Sequence, residues 1–252
     1  MSNATTWHND DDFWALFEEI LFTQGRLAAA QSEVDQIVAL LSIGDGAHIL
    51  DLPCGVGRHA LEFARLGHAV VGIDRTASYI ERARAEARRR TLEVTFEIGD
   101  MREVCMPDTF DVIVNLFGSF GYFEQPDDDR IVVEHMYASL RAGGQFVIET
   151  MGKEILARTF RARDWSEDGD LLLLSERTIS EHWSRVDTRW IAIRGTERFE
   201  HRVSVRSYSA AELSAILAAC GFGDIRVFGS LNGIPYDQAA QRLVVIGRKE
   251  SS

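Results

Sequence analysis

The stretch that most constrains this chain is Ile49 to Ala60, in which a short apolar segment, Ala47 to Leu50, runs into a loop with glycines at 55 and 57 and then into a helix start at about Arg58. A buried strand that turns directly into a helix through glycines leaves backbone N–H groups free at the helix N-terminus, and those groups together with the helix dipole favour an anionic ligand group. The pattern Gly55-x-Gly57-x-x-Ala60 also fits the GxGxxA dinucleotide fingerprint, so the loop alone leaves the ligand open.

The flanking residues extend the motif into an alternating chain. Ala69 to Ile73 is a second apolar strand ending at Asp74, Ser78 to Arg90 is rich in helix formers, Leu92 to Ile98 alternates as a strand, and Phe110 to Asn115 is apolar again. A helix follows from Asp127 to Leu140; the turn Arg141 to Gly144 stops it and launches a strand from Gln145 to Glu149. Strands alternating with helices of this length imply βαβ units and a doubly wound, mostly parallel sheet. Ahead of them, Phe13, Leu16, Phe17, Ile20 and Leu21, then Val34, Ile37, Val38 and Leu41, recur at spacings of three and four and predict two amphipathic helices, with Asp10 to Asp12 suited to the first N-terminus.

From Lys153 the texture changes. A short helix and a polar turn at Asp164 to Asp170 precede three expected antiparallel strands, Leu171 to Ile179, Val186 to Ile193 and Arg198 to Arg206. A helix from Ser209 to Cys220 and strands Asp224 to Phe228 and Arg242 to Gly247 return to the first pattern. The expected organisation is therefore an N-terminal helical cover (1–42), a core (43–151), an antiparallel insertion (152–206) and a completion of the core sheet (207–252).

Charge and cysteine content narrow the function. Lysine and arginine number 27 against 39 acids, a net charge of −12, and such a field disfavours nucleic acid and anionic membrane as partners. The run Arg88 to Arg90 ends a helix rich in arginine and glutamate, where cations suit the dipole. Cys54, Cys105 and Cys220 are odd in number and widely spaced, with neither a disulfide framework nor a metal pattern. With no apolar run of membrane-spanning length and an acidic start unlike a secretion signal, a cytoplasmic setting is expected.

Three acids at successive strand tips separate the ligand possibilities. Asp51, just before the glycines, would repel a pyrophosphate but accept from an amine; Asp74 stands where a carboxylate holds ribose hydroxyls; Asp100 and Met101, after Gly99, could pair with an adenine. This order of acids and glycines resembles class I S-adenosylmethionine (SAM) methyltransferases from about Ala47 to Lys249. The resemblance implies an α/β, Rossmann-like, seven-stranded and mostly parallel sheet with an antiparallel β insertion after strand five. It implies SAM as cofactor, with S-adenosylhomocysteine as product. Its first motif falls on Asp51 to Gly57 with Pro53, Cys54 and Arg58, its ribose acid on Asp74 beside Arg75, its adenine side on Asp100 and Met101, and its fourth-strand motif on Asp111 to Leu116, with Asn115 and Leu116 at the cofactor. Pro53 departs from the usual glycine and removes one N–H, which shifts the expected hold on the methionyl carboxylate to Gly55, Gly57 or Arg58.

The segment Asn115 to Phe123 is similar to the loop after strand four in small-molecule members, including sugar-amine and glycine N-methyltransferases. The implied reaction is transfer of a methyl group to nitrogen or oxygen of a small molecule by a monomer or homodimer. Trp14, Phe17, Phe22, Phe117 and Phe120 are candidate pocket walls, and Tyr122, Glu149, His201 and Tyr208 are candidate proton-handling groups. His59 reads as a packed or capping histidine and Cys54 as a small residue packed by the cofactor. Two other readings remain: an NAD(P)-dependent oxidoreductase, which gives no reason for Asp51 or for Gly99 to Met101, and a noncatalytic SAM-binding protein with a blocked acceptor pocket. A nucleic-acid methyltransferase is disfavoured by the charge and by Leu116-Phe117 after Asn115, where a base-handling motif would have prolines.

Overall fold

A computed structural model describes residues 4–250, leaving the outermost residues of the expected first and last segments, 1–3 and 251–252, outside the described residues. The first element is a 3-10 helix, Ala4–Asn9, in a stretch expected only as a polar leader. It is followed by α1 (Asp11–Leu21) and α2 (Gln24–Leu41). The Asp10 carboxylate caps α1 by accepting the Asp12 and Phe13 N–H groups, with Asp11 and Asp12 in the first turn.

The core then alternates: β1 (His48–Asp51), α3 (Arg58–Arg65), β2 (Ala69–Asp74), α4 (Ala77–Arg90), β3 (Val94–Ile98), β4 (Phe110–Asn115), α5 (Pro126–Ser139) and β5 (Leu140–Thr150). After α6 (Lys153–Thr159) come β6 (Arg163–Asp168), β7 (Leu171–Ser180), β8 (Arg185–Arg194) and β9 (Glu197–Arg206). The chain closes with α7 (Ala210–Ala219), β10 (Gly223–Phe228) and β11 (Leu243–Arg248). Ser209 caps α7 in a reciprocal box with Glu212.

Seven strands form one sheet in the order β10-β11-β5-β4-β1-β2-β3. β1 to β5 are parallel to one another, and β11 runs antiparallel between β5 and β10. One buried layer lies under α2 to α4 (Val34, Ile37, Ile49, Phe63, Val112, Val114) and the other under α5 and α7 (Leu50, Ile113, Val133, Phe146, Leu213, Leu217). Strand order reverses between β1 and β4, and ligands of open α/β sheets bind outside the strand ends at such a point.

The insertion is a four-stranded antiparallel sheet, β6-β7-β8-β9. Its first strand occupies most of the expected polar turn; only Gly169 and Asp170 turn. Every β6 residue is exposed, so no apolar alternation marks it, and pairing with β7 from Arg163–Glu176 to Asp168–Leu171 holds it extended. The turn expected at Arg141 to Gly144 likewise lies within β5, at the register shift between β4 and β5. The insertion leaves and rejoins the core at one place, where the Lys153 N–H donates to the Tyr208 carbonyl (3.0 Å). It is tied to the loop after β4 by the Arg206 N–H to the Gly121 carbonyl (2.7 Å) and by the buried Arg185 guanidinium, which donates to the Phe123 and Glu124 carbonyls. Gly121 is obligatory there, since a Cβ would lie 2.2 Å from the Arg206 carbonyl oxygen and φ is +94°.

Candidate active site

The tips of β1, β2 and β4 open into a cleft with a cavity volume of about 120 Å³. Its floor is the glycine loop. Gly57 has φ +77° and its missing Cβ would meet the Phe96 ring at 2.7 Å, so glycine is what lets the loop turn over β2 and β3. Gly55, at φ +55°, lies under the Phe22 ring, whose Cζ is 2.8 Å from the position of a Cβ.

Asp74 ends β2 in the cleft wall. Its Oδ2 accepts the Gly55 N–H (2.9 Å) and its Oδ1 the Thr76 N–H (2.8 Å). The Thr76 side chain also bonds this carboxylate, which still has acceptor capacity for a ligand hydroxyl. Burial pushes its carboxyl up, against the lowering effect of those backbone bonds. Asp100 also lines the cleft but is committed to Arg102, whose Nε and N–H bond Oδ1 and whose Nη2 bonds Oδ2 (2.6 Å). Despite burial, those bonds hold its carboxyl below the usual carboxylate range.

Asp51 is buried behind the lining, where Oδ2 accepts the Ala60 N–H (3.1 Å) on the first turn of α3. Burial pushes its carboxyl up to about 7, with Arg58 opposing and Asp74 adding to the rise. Arg58 pairs with Glu33 of α2, which also bonds His59 Nε2 (2.7 Å), so this expected carboxylate ligand is already engaged. The Cys54 thiol lines the cleft, and burial raises its pKa, which suits a packed residue and not a nucleophile.

Pro53, Cys54, Gly55, Arg58, Asp74, Arg75, Asp100, Met101 and Leu116 therefore line the cleft, whereas Asp51, Gly57 and Asn115 stand behind it. Of the pocket aromatics, Trp14, Phe22 and Phe117 line it; Phe17 is buried against Trp190 and Val203, and Phe120 in the core beneath α5. Phe117 has φ +65°, and the guanidinium carbons of Arg26 and Arg58 lie 5.0 and 4.8 Å from its ring centre.

The four proton-handling candidates part company. Tyr122 lines the cleft, and burial raises its phenol to about 12. Glu149 faces an adjoining cavity, where it accepts the Phe117 N–H (2.7 Å) and pairs with Arg242 (3.1 Å). Tyr208 donates to buried Asp129 (2.6 Å), away from the cleft. His201 lies against Asp10, Phe13 and Phe17 on the inserted sheet, also outside the cleft lining.

Lining residues that sequence reasoning passed over include His8, Thr76, Tyr79 and Ser119. Tyr79, on the first turn of α4, fits an ordinary amphipathic pattern, and its role appears only in the hydrogen bond from its hydroxyl to the Trp14 carbonyl (2.7 Å). No cluster of metal-ligating side chains occurs among the described residues, and none of their helices is long and apolar enough to cross a membrane.

Comparison with known proteins agrees with this geometry. Residues 49–144 match the family described as methyltransferase domain. Over 135 residues, 53% of this chain and 52% of the relative, the sequence is 33% identical to dTDP-4-amino-2,3,4,6-tetradeoxy-D-glucose N,N-dimethyltransferase of Saccharopolyspora spinosa. Over 94 residues, 36% of this chain and 21% of the relative, it is 37% identical to a 23S rRNA (uracil(1939)-C(5))-methyltransferase of Acidithiobacillus ferrooxidans. The chain thus spans about half or less of the length of these curated relatives. A solved S-adenosylmethionine-dependent methyltransferase from Clostridium acetobutylicum superposes with a TM-score of 0.77 at 14% identity, covering 96% of this chain and 99% of that one. Residues 49–144 thus match a methyltransferase domain, and the chain shares the fold of that solved S-adenosylmethionine-dependent methyltransferase.

Proposed function

We propose that the protein transfers a methyl group from SAM to a small-molecule amine. The observation that carries this is Asp74, a buried carboxylate at the topological switch point that lines the cleft beside the glycine loop. An oxidoreductase using a dinucleotide would share Asp74, but it leaves buried Asp51 behind the glycine loop unexplained.

In this reading Asp74 holds the ribose hydroxyls and Asp51 supplies the negative charge for the methionyl ammonium. Bound SAM supplies a methyl group already activated on a sulfonium. The chain's own work is placement and exclusion of water: Trp14, Phe22, Phe117 and Tyr122 wall the cleft, and near-attack positioning can contribute up to about 7–11 kcal/mol. Residues 1–42 and 152–206 form the cover over the acceptor, and 43–151 with 207–252 the cofactor-binding core.

An acceptor nitrogen is favoured by the state of the proton-handling candidates Tyr122 and Glu149. With its phenol raised to about 12, Tyr122 is protonated near neutrality and can donate a hydrogen bond but is a poor base. Glu149 is spent on Phe117 and Arg242. An amine attacks through its neutral lone pair and needs no strong base, whereas a hydroxyl does. The Saccharopolyspora relative, named for dimethylation of an amino sugar, supports the same class. The rRNA relative matches over only a fifth of its length, and a net charge of −12 opposes a polyanionic acceptor. The test is calorimetry with S-adenosylhomocysteine and NADH, followed by radiolabelled methyl transfer to paired amine and alcohol acceptors, amino sugars among them. Saturable binding of S-adenosylhomocysteine alone and transfer to amines are expected; NADH binding, or transfer confined to alcohols, overturns the reading.

A further inference from the structure

We propose that His8, from the 3-10 helix before α1, is a hydrogen-bonding contact for the adenine of the bound cofactor. The inference rests on the SAM reading above and adds a residue from a segment outside the matched domain.

His8 is 6% exposed, and both its ring nitrogens lack any hydrogen-bond partner. Buried polar groups without partners are rare because leaving one unmade costs about 1–3 kcal/mol. The side chain lines the cleft together with Arg75, Gly99, Asp100 and Met101, the end expected to take the base. Its placement is firm: the His8 carbonyl accepts from Arg75 Nη1 (2.7 Å) and Trp14 Nε1 (3.0 Å), and the ring stands edge-on to Phe123 at 5.3 Å. Trp7 beside it donates from Nε1 to the Ser204 carbonyl on β9 (3.1 Å).

Chemistry fits the position. Burial, then the charges of Arg102 and Arg75, push the imidazole down to about 4 against the pull of Asp100 and Asp128. Near neutrality it therefore has one donor and one acceptor nitrogen. Adenine presents an amino donor next to ring-nitrogen acceptors. Asp100, the acid expected for that amino group, already holds Arg102 through both oxygens, and Asp74 suits hydroxyls, so the unpartnered imidazole is the free acceptor at this end.

The experiment is calorimetry on the full chain with S-adenosylhomocysteine and with S-inosylhomocysteine, in which oxygen replaces the amino group. His8→Phe keeps the ring's volume and deletes both nitrogens, while His8→Gln keeps a donor and an acceptor. His8→Phe should weaken S-adenosylhomocysteine about tenfold and leave the inosyl analogue within twofold of wild type; His8→Gln should stay within threefold for both. Undiminished S-adenosylhomocysteine binding by His8→Phe overturns the proposal and identifies the partner as a buried water only. Equal losses for both ligands overturn it in favour of packing. Wild type that binds neither ligand overturns the cofactor reading itself.

Discussion

The two sheets of this protein stand in different relations to the cleft: residues around the strand ends of one line it, and no residue of the other does. The seven-stranded sheet presents its strand ends: Asp74 and the glycine loop reach the cleft because β1 and β2 stop there, and few residues separate them in the chain. The four-stranded sheet presents a face, packing Trp190 and Val203 against Phe13 and Phe17 of α1 and tying back to the core through Arg185 and Arg206. Edge-of-sheet sites are made by local chain geometry and cover sheets by contacts between distant segments, so damage to one should leave the other's task largely intact.

The largest test of that separation is Asp74→Ala. Loss of a charged hydrogen-bond acceptor costs about 1.5–3 kcal/mol, so S-adenosylhomocysteine affinity should fall by roughly tenfold or more in a titration, and a change within twofold would remove Asp74 from the cofactor site. Arg185→Ala probes the other side. Its guanidinium joins Ser204 of β9 to the Phe123 and Glu124 carbonyls, and without it hydrogen exchange in β8 and β9 should quicken about tenfold while S-adenosylhomocysteine affinity stays within twofold. If affinity falls as steeply as for Asp74→Ala, the two sheets are not separable.

Asp51 adds a pH signature confined to the core. With its carboxyl raised to about 7, only about a tenth is ionised at pH 6 and about nine-tenths at pH 8, so a ligand ammonium that needs the carboxylate should bind about tenfold more weakly at pH 6. Asp51→Asn should flatten that profile. Stability of the ligand-free protein has the opposite sign: between about pH 4 and 7 the folded state keeps a proton that the unfolded state has released, so this group's contribution declines as pH rises. The smallest effect belongs to Trp165, exposed on β6; Trp165→Thr should change stability by no more than about 0.5 kcal/mol and leave cofactor affinity alone.

Legibility in the sequence followed the same division. The core strands and the acids at their tips stood out because buried parallel strands are short apolar runs and each acid is adjacent to its strand. β6 stayed hidden because a strand exposed on every residue carries no hydrophobic period. His201 and Tyr208, plausible as cleft residues from their place in the chain, face α1 and Asp129 instead, since the twist and docking of an antiparallel sheet decide which residues look inward. His8 was invisible for a related reason. It reaches the cleft because Trp7 is fastened to Ser204, and no local pattern can announce a hydrogen bond across 197 residues.

One small feature bears on how such a chain can change over time. The hydrogen bond from Lys153 to the Tyr208 carbonyl brings the two ends of the inserted sheet together at a single doorway in the core. A segment that enters and leaves through one doorway can be lengthened, trimmed or exchanged without rethreading the strands of the seven-stranded sheet. Under the proposed function, replacing this segment would alter the cover over the acceptor while leaving the core sheet in place.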